Sequence, residues 1–154
     1  MPTVLITGMS GVGKSSVAAE LSRRGFVAVD TDAEAAVEAP DGEWLWDEPR
    51  VEEALSRAIG SQPIFIVGSA SNQVRFYDRF NVIVLLTAPA ALMIQRVRTR
   101  TTNPFGSSDE DRRKILADKA MFEPMIRRRA DIEISTDQPL DMVVEAVLAT
   151  VPDR

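Results

Sequence analysis

Apolar positions fall into five short runs separated by amphipathic stretches. The runs are Thr3-Val4-Leu5-Ile6-Thr7, Phe26-Val27-Ala28-Val29, Ile64-Phe65-Ile66-Val67, Val82-Ile83-Val84-Leu85-Leu86 and Ile132-Glu133-Ile134. The first four are continuous rather than alternating, the pattern of strands buried on both faces. Between them the polarity turns helical. Val17, Ala18 and Leu21 form one face of a helix over residues 13–24, with Gly25 as its stop. Residues 33–39 read as a short helix broken by Pro40-Asp41-Gly42, Pro49 opens a helix through Ile59, and residues 73–80 read as another short helix. Pro89 opens a helix toward Arg100 on Leu92, Ile94 and Val97, and residues 101–106 form a loop. Ser108 caps a helix toward Arg129, with Asp109, Glu110 and Asp111 in its first turn and a bend expected at Pro124. Residues 140–151 form the last helix.

Strands alternating with helices predict a three-layer α/β fold: a five-stranded parallel sheet, right-handed crossovers and helices on both faces. One domain over residues 1–154 is expected. In such sheets ligands lie beyond the carboxyl ends of the strands. That rule gathers Gly8–Ser15, Asp30-Thr31-Asp32, Gly68-Ser69-Ala70-Ser71-Asn72, Thr87 and Ser135-Thr136-Asp137 on one rim.

The first of these groups has a specific chemistry. Gly8-Met9-Ser10-Gly11-Val12-Gly13-Lys14-Ser15 fits G-x-x-x-x-G-K-[ST], between a strand and a helix. Its glycines let consecutive backbone N–H groups wrap a phosphate, and the helix N-terminus adds unpaired donors and a positive dipole end. The reading assigns Gly8, Ser10, Gly11, Val12, Gly13, Lys14, Ser15 and Ser16 to a nucleoside triphosphate, taken as ATP. Lys14 reaches the β/γ-phosphates and the Ser15 hydroxyl holds Mg²⁺.

Composition narrows the partners. The 154 residues contain no Cys and no His, so disulfides, cysteine nucleophiles and imidazole bases are excluded. A net charge of −5 argues against nucleic acid. No apolar run approaches membrane-spanning length, and the N-terminus enters a strand without a leader pattern, so a cytoplasmic protein, monomer or homodimer, is expected. The charge is uneven. Residues 30–53 carry ten acids and one base, whereas residues 96–129 carry ten bases and five acids.

Neither the third nor the fourth strand ends in the Asp expected of motor ATPases, and no Asn-Lys-x-Asp occurs to read guanine. Instead, paired carboxylates follow the second strand. A P-loop, then Val29-Asp30-Thr31-Asp32, then a short basic lid over about 100–125 resembles shikimate kinase and the adenylate-kinase-like small-molecule kinases. The resemblance implies that Asp30 helps hold Mg²⁺ through water and that Asp32 contacts the acceptor hydroxyl and takes its proton. The competing role for either Asp is a helix N-cap. Ala130-Asp131 also matches, and the resemblance puts adenine beside residues 135–139. It implies a lid arginine: Arg100 is assigned to catalysis and Arg98 to the nucleotide, with Arg96, Arg112 and Arg113 the other candidates. The departures lie on the acceptor side. One glycine, Gly68, followed by Ser69, stands where the family has three; Asn103 precedes Pro104 in place of Arg; Phe122 and Ile126 replace a carboxylate-binding Arg and a Tyr. Shikimate is therefore not expected as the acceptor.

The implied acceptor-side segment, residues 32–60, is the acidic one, and its field disfavours anions. A neutral or cationic hydroxyl compound is expected: a sugar, a nucleoside or an aminoglycoside-like molecule. Trp44 and Trp46 are candidates to stack on it, their alternative role being core packing, and Arg50, Gly68 and Ser69 are further contact candidates. Two other readings remain: a nucleoside monophosphate kinase, and a regulatory nucleotide-binding protein or slow ATPase without an acceptor.

Overall fold

A computed structural model describes residues 2–57, 61–99 and 108–152. The elements are β1 (Thr3–Thr7), α1 (Lys14–Arg23), β2 (Val27–Asp30), α2 (Thr31–Glu34), β3 (Ala36–Glu38), β4 (Trp44–Trp46), α3 (Glu48–Leu55), β5 (Ile64–Val67), a 3-10 helix (Gln73–Arg79), β6 (Val82–Thr87), α4 (Ala90–Thr99), α5 (Asp109–Arg129), β7 (Ile132–Ser135) and α6 (Leu140–Ala149). β2, β5, β1, β6 and β7 lie in that order in one parallel sheet. The five expected strands are all present, and their carboxyl ends share one edge.

The continuous apolar runs fill two cores because a strand sends alternate side chains to opposite faces. Val4, Ile6, Phe65 and Val67 pack on one side with Val17 and Leu21 of α1, Met93 and Val97 of α4, Ile115 of α5 and Val143 and Val147 of α6. Leu5, Ile64 and Ile66 pack on the other with Val51 and Leu55 of α3, Trp46, Phe76 and Tyr77.

The helix expected over residues 33–39 does not form. One helical turn, α2, ends at Glu34, and β3 pairs antiparallel with β4, placing Ala36 opposite Trp46 and Glu38 opposite Trp44. Pro40-Asp41-Gly42 makes the hairpin turn, with Gly42 at φ +86° and the Asp41 carboxylate accepting from the Glu43 amide. The Ala- and Glu-rich composition favours helix locally, but a helix there would leave the β-prone Trp44-Leu45-Trp46 without a partner. Of the expected lid, residues 100–107 lie outside the described residues. The remainder is the leading part of α5, which continues as helix through Pro124.

Candidate active site

The phosphate loop connects β1 to α1 across the middle of the rim. Its tight fit explains the glycines. Gly11 has φ +87°, and a Cβ there would lie 2.5 Å from the Met93 carbonyl oxygen of α4. α1 begins after Gly13 with no side-chain cap and no acid in its first turn, leaving the helix N-terminus suited to an anion. Ser15 and Ser16 are exposed there. Lys14 is buried against the loop, its Nζ donating to the Gly8 and Met9 carbonyls at 2.7 and 3.1 Å. Lysine can exchange those carbonyls for phosphate oxygens without moving its backbone. The chemistry of the donor set fits a triphosphate. Among the described residues no three acids cluster into a metal site.

Arg96 braces this loop from outside. Its guanidinium donates to the Val12 carbonyl at 3.0 Å, to the Thr136 hydroxyl at 2.8 Å and to the Thr136 carbonyl at 2.8 Å. Through these bonds it shapes the phosphate loop and ties it to the loop after β7. Arg98 is exposed on α4, Arg112 pairs with Asp109, and Arg100 lies outside the described residues.

The acceptor side begins two strands away. Asp30 ends β2 opposite Val67 of β5, which in turn is opposite Ile6 of β1. At the usual strand spacing this puts Asp30 about 10 Å from β1 in the sheet. One of its oxygens caps α2, accepting from the Asp32 amide at 3.1 Å. The capping role weighed against metal binding is thus filled by one carboxylate oxygen. Asp32 is exposed in the single turn of α2, with Oδ1 3.4 Å from the position of a Cβ built on Gly68. Asp32 therefore overlies the end of β5.

Gly68 has a packing role. Its φ is +152°, a Cβ would lie 1.8 Å from the Thr31 hydroxyl, and its amide is bonded to the Ile6 carbonyl at 3.0 Å. The missing side chain lets Thr31 close over β5 and donate to the Val67 carbonyl at 3.1 Å. Ser69 is half-buried in the loop that follows. Trp46 is 2% exposed; its indole N–H donates to Thr31 at 3.0 Å and its ring meets Phe76 edge-on at 5.6 Å. It is core and offers no ring face to a ligand. Trp44, two residues away, is 57% exposed. Arg50 points outward, paired with Asp47.

The expected negative field is reduced. Glu34, Asp47, Glu48, Glu52 and Glu53, five of the ten acids, pair with Arg57, Arg50, Arg75, Arg79 and Arg57 respectively. Arg75 and Arg79 are thereby engaged with α3. The acids outside these pairs include Glu38, Asp41 and Glu43 of the hairpin.

Sequence reasoning passed over several residues that set this geometry. Asn72 mimics a strand: its side-chain oxygen accepts from the Trp46 amide at 2.8 Å and its nitrogen donates to the Trp46 carbonyl at 3.1 Å. Gln73, 4% exposed, accepts from Thr7 and from the Ala70 amide and donates to Tyr77, joining the acceptor loop to the residue before Gly8. Glu123, 3% exposed, pairs with Lys119 and Arg127 and accepts from the Thr87 hydroxyl, fastening α5 to the end of β6. The four-residue spacing of Lys119, Glu123 and Arg127 was the available signal for this last cluster. The strand-end rule places Asn72 on the rim without a role, and no local pattern announces Gln73.

The family described as AAA domain matches residues 4–117. Curated relatives include a shikimate kinase from Halorhodospira halophila, 27% identical over 149 residues, covering 86% of this chain and 83% of that protein. A dephospho-CoA kinase from Deinococcus radiodurans is 28% identical over 147 residues, covering 94% of this chain and 66% of that protein. Among solved structures, shikimate kinase from Acinetobacter baumannii in complex with shikimate superposes with a TM-score of 0.69 at 18% identity, over 97% of this chain and 92% of that one. Among the described residues no helix is long and apolar enough to cross a membrane. The glycine loop, the five-stranded order and these likenesses converge: the chain belongs to the AAA-domain family and has the P-loop fold of the shikimate kinase structures.

Proposed function

We propose that the protein transfers the γ-phosphoryl group of ATP to a hydroxyl of a neutral or cationic small molecule. The observation that carries this reading is Asp32, an exposed carboxylate over the end of β5, the strand hydrogen-bonded to the one that leads into the phosphate loop. Loop N–H groups and Lys14 would hold the β- and γ-phosphates and offset the charge that builds on the transferring group. Ser15, with Asp30 through water, would hold Mg²⁺, which supplies charge neutralisation when bound with the nucleotide. Asp32 would orient the acceptor hydroxyl and accept its proton as the new oxygen–phosphorus bond forms and the bond to the ADP oxygen breaks. Arg100, with Arg98 on the nucleotide, remains the proposed lid cation.

The acceptor class rests on charge. Glu38, Asp41 and Glu43 crowd the hairpin beside Asp32, and the guanidiniums of Arg50, Arg75 and Arg79 are engaged with acids of 47–52. The curated relatives are named for two unlike acceptors, shikimate and dephospho-CoA, so their names do not choose one. ADP release should be measured with ATP and Mg²⁺ against sugars, nucleosides, aminoglycosides, shikimate and nucleoside monophosphates. Stimulation by a neutral or cationic compound, lost in Asp32→Ala, is expected. Preference for a monophosphate would make the protein a nucleotide kinase. ADP release that nothing stimulates and that survives Asp32→Ala would make it an ATPase without an acceptor.

A further inference from the structure

Two large aromatic side chains on the carboxyl-end side of the sheet are left partly in water. Trp44 comes from the hairpin side. Residues two apart on a strand share a face, so Trp44 lies on the face that buries Trp46, one step beyond the edge of the core. Its carbonyl accepts from the Ser71 amide at 3.1 Å, which sets it against the loop after β5. Phe122, 42% exposed, comes from α5. Seven residues, two helical turns, separate it from Arg129, so both lie on one stripe. Arg129 reaches across to Tyr77 of the 3-10 helix, 5.0 Å from the ring centroid, at one end of the stripe, whereas Ile115, seven residues before Phe122, is buried with Met93 and Val97 of α4 at the other. The height of Phe122 follows from its neighbours. Lys119 and Glu123 bond to Ala88 and Thr87 at the carboxyl end of β6, whereas Asp131, past the end of α5, bonds to Ile83 near its start. Phe122 therefore stands at the level of the rim.

We propose that Trp44 and Phe122 form the two walls of the acceptor site, and that the acceptor is a neutral hydroxyl compound carrying a flat unsaturated ring, of the nucleoside type. This deepens, and rests on, the phosphotransferase reading above. Ring faces bind unsaturated rings by offset or edge-on stacking and give an anion nothing to pair with. Glu38, directly across the hairpin from Trp44, further excludes a carboxylate or phosphate. A polyol without a ring would leave both walls wet, so the ring decides selectivity while Asp32 addresses the hydroxyl.

The test sets compounds with and without the flat ring side by side: cytidine or guanosine against D-ribose and its methyl β-furanoside, which carries the same three hydroxyls, with shikimate as the anionic control. ADP release is measured with saturating ATP and Mg²⁺, and binding by calorimetry with the donor site filled by a non-hydrolysable ATP analogue. At least a tenfold lower KM or Kd for a nucleoside than for ribose is expected. Trp44→Ala and Phe122→Ala should each shrink that ratio to threefold or less, and Trp44→Phe and Phe122→Tyr should restore it. Equal use of ribose and nucleosides, preference for shikimate, or no nucleoside binding at millimolar concentration overturns the proposal. So does a dimer that covers Phe122 and dissociates in Phe122→Ala with the nucleoside KM unmoved. Ring-dependent binding without transfer would keep the aromatic walls and remove the kinase reading; transfer to ribose and nucleosides alike would do the reverse.

Discussion

The donor half and the acceptor half of this rim are built from different materials. Around the phosphate loop the close contacts involve backbone: the Met93 carbonyl against Gly11, the Leu86 carbonyl against Gly8, and the Gly8, Met9 and Val12 carbonyls taken by Lys14 and Arg96. Around the hairpin the backbone supplies the β3–β4 pairing and the Ser71–Trp44 bond, and uncharged or paired side chains supply the rest: the Asn72 amide on the Trp46 backbone, the Thr31 hydroxyl between the Trp46 indole and the Val67 carbonyl, and exposed ion pairs along α3. Backbone contacts fix one shape whatever the neighbouring side chains are, and every triphosphate presents the same phosphates. Side-chain contacts tolerate replacement, and acceptors differ.

The sharpest separation of the halves is Lys14→Met. It should lower phosphoryl transfer by about a hundred- to a thousandfold, while thermal unfolding shifts by no more than the loss of the two bonds to the buried Gly8 and Met9 carbonyls. A matching loss of stability would show that the lysine holds the loop together. Gly68→Ala should do the opposite, costing about 3 kcal/mol of stability, since its Cβ would displace the Thr31 hydroxyl from Val67. Urea denaturation reads this directly, and a cost under 0.5 kcal/mol would mean that the Thr31 contact is dispensable. Asn72→Ala removes two hydrogen bonds at the base of the hairpin and should cost about 1–2 kcal/mol. Amide exchange should quicken at Trp46 but not in β1, and the acceptor KM should rise with ADP affinity unmoved. Faster exchange in both places would erase the distinction between the halves.

The smallest effect is expected from acid. Arg23, then Arg24, hold the Glu20 carboxyl down to about 2, and Arg127 holds Glu133 below its ordinary value. A depressed carboxylate contributes stability above its unfolded value of 4.5 that is lost as pH falls through the folded value. Melting temperature should be level from neutral pH down to that value and fall below it toward about 2. Glu52 and Glu53 of α3 are lowered in the same way by Arg79 and Arg57, so acid should weaken both halves. Because all these pairs are at the surface, 1 M salt should flatten the slope.

The same division governs what could be read from the chain. The glycine loop is contiguous, and its residue types follow from the phosphate it wraps, so the motif and its strand–loop–helix context were visible together. The doubly buried strands were visible for a similar reason: Ile64-Phe65-Ile66-Val67 has no polar face to turn outward. The hairpin was not, because Ala36–Glu38 takes its conformation from Trp44–Trp46, and helix propensity carries no information about that pairing. Trp44 and Trp46 are the same residue two positions apart, yet one is at the surface and the other fills the core under Thr31. Arg96 was visible as a cation, but its partner Thr136 is forty positions away.

That bond bears on how short a working version of this protein can be. The matched family segment stops at residue 117, before β7 and α6. A fragment trimmed to it would retain the whole glycine motif and lose both Thr136 oxygens that orient the Arg96 fork. It would also expose the edge of β6, where β7 pairs. Trimming of this kind should leave a polypeptide that carries the signature of nucleotide binding but cannot retain ADP on a desalting column. The smallest useful unit thus extends through β7 and α6, well outside the stretch by which the chain is recognised, because the Thr136 bond and the core side chains Ile126, Ile134, Val143 and Val147 lie there.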